Sequence, residues 1–165
     1  MTQKQLFSRY IHQLPEGELC WIGLRPARKQ PVVATASAEA LENVGLVGDH
    51  RCDKTPGSAR QVTVIAKEWI DLIAHYSGHG MIDPVLLRRN LVVKGINLNA
   101  LRHQRFRIGS ATFEATALCH PCSRMDSALG VGGAASMLGY GGLCAKITQS
   151  GIITVGDALI PLPPE

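Results

Sequence analysis

A chain of 165 residues, 45% hydrophobic and 18% charged, has the composition of an ordinary globular protein and is long enough to bury one core without cross-links. Its 17 glycines and 5% aromatic content argue against a helical bundle and for many turns between short strands. The formal net charge of +4 is too mild to single out nucleic acid, because an anionic small molecule would suit it equally well.

The first seven residues lack the apolar core and small-residue cleavage site of a secretory signal. No apolar stretch approaches the length that crosses a bilayer, so no membrane partner is expected. Five cysteines (Cys20, Cys52, Cys119, Cys122, Cys144) is an odd number. Reduced thiols in the cytoplasm are therefore expected in place of a disulfide framework.

Residues 19–24 and 32–36 read as strands, separated by a polar segment marked by Pro26 and Pro31. Gly48-Asp49-His50 reads as a turn. Residues 61–65 form another strand, followed by the clearest helix of the chain. In that helix Trp69, Ile70, Ile73 and Tyr76 recur at helical spacing, with Gly78 and Gly80 stopping it. Asp83-Pro84 predicts an N-cap and a short helical turn through Leu87. Strands are expected again at residues 91–96, 106–108, 111–118, 143–147 and 152–155, with a Gly156-Asp157 turn into residues 158–160. Roughly eight to ten short strands with one clear helix and a few helical turns predict a mainly β fold, a curled sheet or β-barrel. Regular alternation of strand and helix is missing, which excludes a doubly wound fold.

The segment that bears on chemistry is Cys119-His120-Pro121-Cys122, placed where a strand ends. A plain core strand is a poor account of it, because Pro121 has no N–H for a sheet ladder. Zinc is one alternative, held by Cys119, Cys122 and Cys144 with either Cys52 or His50, although a second paired cluster is missing. A thioredoxin-like dithiol is another, but that motif opens a long helix, and residues 123–129 allow only about two turns before Gly130. A third alternative needs one reactive thiolate: Cys122 precedes Ser123-Arg124, whose guanidinium would favour the charged form. Soft thiolate is also a ligand that molybdenum accepts.

The run Gly130-Val131-Gly132-Gly133-Ala134-Ala135 mimics a dinucleotide fingerprint, yet no strand leads into it and no acidic residue follows at the required distance. With Gly139, Gly141 and Gly142 it reads as a flexible loop, either a lid beside the thiol or plain surface. Arg88-Arg89-Asn90 opens a strand and offers an arginine fork and an amide for a phosphate or a heterocycle edge. Arg102-His103-Gln104-Arg105-Phe106-Arg107 is basic with one aromatic but short and isolated, so it reads as an exposed loop feeding a strand and no nucleic-acid partner is expected.

In order and spacing these segments resemble the MOSC family, named for the C-terminal domain of molybdenum cofactor sulfurase. The matching segments are Gly45-Leu46-Val47-Gly48-Asp49, Arg60-Gln61-Val62-Thr63-Val64-Ile65, Arg88-Arg89-Asn90-Leu91-Val92-Val93-Lys94-Gly95-Ile96 and Ile108-Gly109-Ser110-Ala111. Cys119-His120-Pro121-Cys122-Ser123-Arg124-Met125 and Gly151-Ile152-Ile153-Thr154-Val155-Gly156-Asp157 complete the pattern. The resemblance runs from about residue 19 to residue 162 and implies one MOSC domain over residues 1–165, with a β-barrel-like fold.

The resemblance further implies a site for the molybdenum cofactor, molybdopterin. The second cysteine of the motif matches the metal-ligating cysteine of amidoxime-reducing proteins, which puts the metal-binding and catalytic role on Cys122. Arg88 and Asn90 match a motif that holds the pterin phosphate; Arg89 replaces its middle proline. Arg60 and Gln61 are expected to assist there, with His120, Ser123 and Arg124 as the polar surroundings of the metal. Reduction of an N-hydroxylated small molecule is the implied reaction, fed by a separate electron-donor protein. The other implied role is persulfide carriage on Cys122, with a cysteine desulfurase as partner. The sequence contains neither the pyridoxal-phosphate desulfurase domain of the full sulfurases nor the additional N-terminal region of the reducing proteins.

Overall fold

The computed structural model describes residues 1–165. In chain order it contains helix α1 (Gln3–Ser8) and strands β1 (Gly17–Leu24), β2 (Val33–Thr35), β3 (Ser37–Leu41), β4 (Gly45–Leu46) and β5 (Val62–Ala66). Helix α2 (Lys67–Ser77) and strands β6 (Leu91–Lys94), β7 (Arg105–Ile108) and β8 (Ala111–Leu118) follow. Helices α3 (Arg124–Leu129) and α4 (Gly133–Met137) precede strands β9 (Leu143–Gln149), β10 (Gly151–Thr154) and β11 (Ala158–Pro161).

Seven strands, in the order β11-β7-β8-β9-β5-β6-β1, close into a barrel because β1 also pairs with β11. β2 extends the sheet beyond β1, and β10, β3 and β4 form a small second sheet. Closure removes the open edges that a sheet of this size would otherwise expose. Phe106 and Phe113 stack across β7 and β8 at 5.4 Å in the buried core.

Every strand pair is antiparallel except β5 and β6. Parallel neighbours need a crossover, and α2 supplies it. Trp69, Ile70, Ile73 and Ala74 are its buried face. Gly78, at φ 75°, ends it in the left-handed conformation that glycine adopts without a Cβ penalty. Tyr76, expected on the apolar face, is exposed and packs loosely against Tyr140. The crossover returns through a 3-10 turn over Pro84–Leu87, capped by the Asp83 side chain, and delivers Arg88, Arg89 and Asn90 to the start of β6.

The returning segment is fixed by Asn90, which is 1% exposed. Its amide donates to Gly23 O of β1 at 3.0 Å and to Asp49 Oδ2 at 2.8 Å, while its Oδ1 accepts from Thr63 N and Thr63 Oγ1 of β5. Both donors and both lone pairs of the side chain are thereby used. Asp49 in turn accepts from Arg25 N, Nε and Nη2 and from Arg51 N. Burial would raise its carboxyl, but the hydrogen bonds and charge of Arg25, helped by the Arg51 and Arg25 amides, hold it below the ordinary carboxylate value.

The mainly β, barrel-like architecture expected from the sequence is present; of its eleven strands, β3 and β4 carry no long apolar alternation that marks them. One expectation needs correction. The glycine segment expected as a flexible loop contains α4, with Gly133 packed so closely that a Cβ there would lie 2.5 Å from Met125 O. The basic segment at residues 102–107 feeds strand β7, as expected, with Gln104 buried just before it.

Asp49→Asn places an amide donor among groups that all donate, and strands the Arg25 charge in a half-buried site. It is expected to cost about 3 kcal/mol, read as a lowered urea midpoint at unchanged slope. Because the carboxyl is depressed, its contribution is present above the unfolded-state value and fades as pH falls through the folded one, so the wild-type advantage should shrink at strongly acid pH.

Candidate functional site

Across β8, β9, β5, β6 and β1 the register lays Ala117, Cys144, Thr63, Asn90 and Gly23 in one lateral row. Loops leaving these strands bring together a cluster of arginines and three thiols. Arg25 follows β1, Arg60 precedes β5, Arg88 and Arg89 precede β6, and Cys119 follows β8.

Cys119 is 2% exposed, and its N–H donates to Gly142 O at 2.7 Å, which extends the β8–β9 ladder by one bond. Arg60 Nη2 lies 3.6 Å from Cys119 Sγ. Arg89, 5% exposed, donates from Nε to Gly141 O at 2.7 Å and from Nη1 to Leu87 O at 3.2 Å. Its Nη2 is buried with no partner. Burial pulls its guanidinium below the ordinary value, and Cys119 opposes that shift. A side chain at residue 141 is excluded, since a Cβ on Gly141 would sit 2.2 Å from Cys119 O and 3.4 Å from Arg89 Nη2.

The Cys119 thiol is pushed down from 9.0 to about 6. A hydrogen bond from Cys144 is the largest cause; burial opposes it, and the charges of Arg89, Arg60 and Arg25 add to it. Cys144 is pushed up by that same bond, by burial and by the charge on Cys119. Ionisation is thus favoured at Cys119, the sulfur that faces Arg60.

Cys122 is set apart from this pair. It is exposed, with its carbonyl accepting from Met125 N at the entry to α3. Arg124, two residues on, lines a cationic cleft with Lys29 and Arg88. Arg88 takes a left-handed backbone at φ 56° and donates from Nη1 to Gln30 O at 2.6 Å. His120 and Ser123 are exposed on the same loop and Arg124 is half-buried.

The expected site residues thus fall into two groups. Arg88 and Arg124 line the cationic cleft with Lys29, Arg60 stands at Cys119, and His120, Cys122 and Ser123 are exposed on the loop that leads into Arg124. Gln61 and Asn90 hold its frame and have no free atoms to offer a ligand. Gln61 donates to Ser58 O at 2.7 Å and accepts from Ile147 N at 2.8 Å, and Asn90 is saturated as described. The zinc set is not gathered, because no three His, Cys, Asp or Glu side chains converge in a suitable group. Cys52 instead donates to Leu46 O at 2.9 Å. Arg25, Asp49 and the Cys119–Cys144 contact escaped sequence reasoning; only the proximity of separate strands reveals them.

A thiolate absorbance titration should show one cysteine ionising near pH 6, absent in Cys119→Ser and moved upward in Cys144→Ala, where the S–H donor is lost. Because the folded-state value is depressed, the ionised pair stabilises the fold progressively from about pH 6 upward and ceases to do so as pH falls through that value.

Similarity to known proteins agrees with this architecture. The YuaD protein from Bacillus subtilis superposes with a TM-score of 0.75 at 18% identity, covering 88% of this chain and 95% of that one. YiiM from Geobacillus stearothermophilus gives a TM-score of 0.71 at 14% identity, over 88% of this chain and 75% of that one. YiiM from Escherichia coli gives 0.67 at 16% identity, over 90% and 71%. At such identities the likeness is one of fold. Comparison with curated protein sequences yields no significant match. The model of the MOSC domain matches residues 50–160, well over half of the chain and all of its thiol- and arginine-bearing loops except that of Arg25, and the chain belongs to the MOSC domain family.

Proposed function

We propose that the cleft beside Cys122 binds a molybdenum cofactor, with the Cys122 thiolate as a ligand to the metal. The observation that carries this reading is the exposed Cys122 thiol two residues before Arg124, which lines a cationic cleft with Lys29 and Arg88. The donor set fits the group. A soft thiolate suits molybdenum, and guanidinium and ammonium groups suit a phosphate. Arg89 Nη2, buried and unpartnered behind the same loop, is a further donor awaiting an acceptor. When bound, such a cofactor supplies two-electron oxidation–reduction at the metal, and an N-hydroxylated small molecule is the substrate class this reading favours.

The chain's own residues have definable tasks in this scheme. Arg88 and Arg124 draw in and orient the phosphate end. Arg60, from the segment before β5, and His120 and Ser123, from the loop after β8, are the polar groups that border the ligand in this reading. Asn90 and Gln61 position those loops through their strand-bridging hydrogen bonds. Electrons come from a separate donor protein. A cytoplasmic location belongs to the same reading, supported by five unpaired cysteines. No helix is long and apolar enough to cross a membrane.

Elemental analysis of protein from a molybdate-fed host should find near-stoichiometric molybdenum in the wild type, loss of it in Cys122→Ser and only partial loss in Cys119→Ser. Equal molybdenum in the two variants would overturn the ligand assignment. Metal-free wild type that gains the mass of one sulfur on Cys122 when incubated with a cysteine desulfurase would replace cofactor binding with sulfur carriage.

A further inference from the structure

We propose that a polar cavity on the outer face of the barrel binds a free amino acid, with Arg105 holding its carboxylate and Glu114 its ammonium group. None of its walls belongs to the loops that carry the thiols and the arginine cluster, and the proposal does not rest on cofactor binding.

The cavity encloses about 210 Å³ between α1, the start of β7, the middle of β8 and the segment after β11. Both signs of charge line it, Lys4 and Arg105 against Glu114 and Glu165, and no Leu, Ile, Val, Met or Phe takes part.

The sheet sets the two central charges side by side. β7 and β8 pair Arg105 with Glu114. Their neighbours Phe106, Phe113 and Ala115 are buried, so both charged side chains stand on the outer face. Glu114 is half-buried, yet neither Arg105 nor Lys146, its neighbours in register on the two flanking strands, forms an ion pair with it. A carboxylate so placed is an acceptor in want of a cation.

Arg105 is turned instead to the chain after β11. Its Nη2 donates to Pro163 O at 3.3 Å, and its Nη1 meets Glu165 Oε1 at 3.1 Å. The Glu165 side chain is 79% exposed, so this contact contributes little in water and is open to exchange. It marks the position a ligand carboxylate would take. The frame around it is firmer: Gln104, 4% exposed, donates from Nε2 to Lys4 O at 3.2 Å and so holds α1 against the barrel.

Charge and size select the ligand. A simple anion would meet Glu114, and a simple cation would meet Arg105 and Lys4. A zwitterion answers both signs at once. The ammonium and carboxylate of an amino acid sit on one carbon, which suits two groups set opposite each other on paired strands. The volume lies below the roughly 300–1,000 Å³ of sites for drug-sized molecules, and the polar walls favour a small or polar side chain.

The test is titration calorimetry on the full chain with glycine, serine and glutamine, and with acetate and methylammonium as single-charge controls. The expected result is one-to-one binding of at least one of the amino acids and no saturable binding of either control over the same concentrations. Glu114→Gln and Arg105→Gln should each weaken that binding by about ten-fold or more, whereas Glu165→Gln should tighten it by freeing Arg105. Absence of binding by all three amino acids, acetate bound as tightly as the amino acid, or an affinity unchanged in Glu114→Gln would overturn the proposal. The wild-type comparison of amino acids with the two controls decides the matter even where a variant folds poorly.

Discussion

The buried carboxylate of Asp49 is the point on which this structure turns. Five hydrogen bonds converge on it, three from Arg25, one from Arg51 N and one from Asn90. An ionised carboxylate accepts only, so it is well matched to a set of groups that only donate. Remove it and each donor is left unsatisfied in a place that water does not reach freely. Through Asn90 the same carboxylate is tied to Thr63 of β5 and Gly23 of β1. The crossover that makes β5 and β6 parallel is therefore pinned where it re-enters the barrel. The two arginines that precede Asn90 inherit their positions from that pin.

Arg88 and Arg89 are adjacent in sequence and opposite in fate. Arg88, in a left-handed backbone conformation, turns to the cleft with Lys29 and Arg124. Arg89 is driven inward, against Gly141 O and Leu87 O. Packing so many cations around one set of loops is unfavourable unless negative charge is near. Asp49 answers Arg25, and Arg60 faces the Cys119 sulfur, whose ionisation the nearby guanidinium charges favour. Lys29, Arg88 and Arg124 are left without a carboxylate partner of their own, which is the condition an anionic ligand satisfies.

Much of the barrel was legible because its strands carry the local signal that burial demands. Residues 111–118 were read as a strand with the bounds the structure gives, and α2 was marked by the spacing of Trp69, Ile70 and Ile73 with Gly78 behind it. α4 was hidden, because glycine spacing signals flexibility in sequence whereas here it permits Gly133 to touch Met125 O. Site residues divided along a similar line. The chemistry of Arg88 and Arg124 follows from residue type, and they stand together at the cleft. Gln61 and Asn90 looked equally suited to a ligand, but their amides are consumed by backbone and side-chain partners on other strands. Which polar side chain remains free is decided by long-range pairing, and a sequence records that only indirectly.

The C-x-x-C segment makes the same point in chemical terms. Pro121 cannot continue the ladder, so the chain leaves the sheet between the two cysteines. Cys119 stays with β9, buried against Cys144 and two guanidinium groups. Cys122 moves out to the start of α3 and into solvent. A spacing that usually brings two sulfurs to one metal or one disulfide here places them in different dielectric environments. The buried sulfur faces the Arg60 guanidinium, while the exposed one is open to solvent. The strand end, not the spacing, sets which is which.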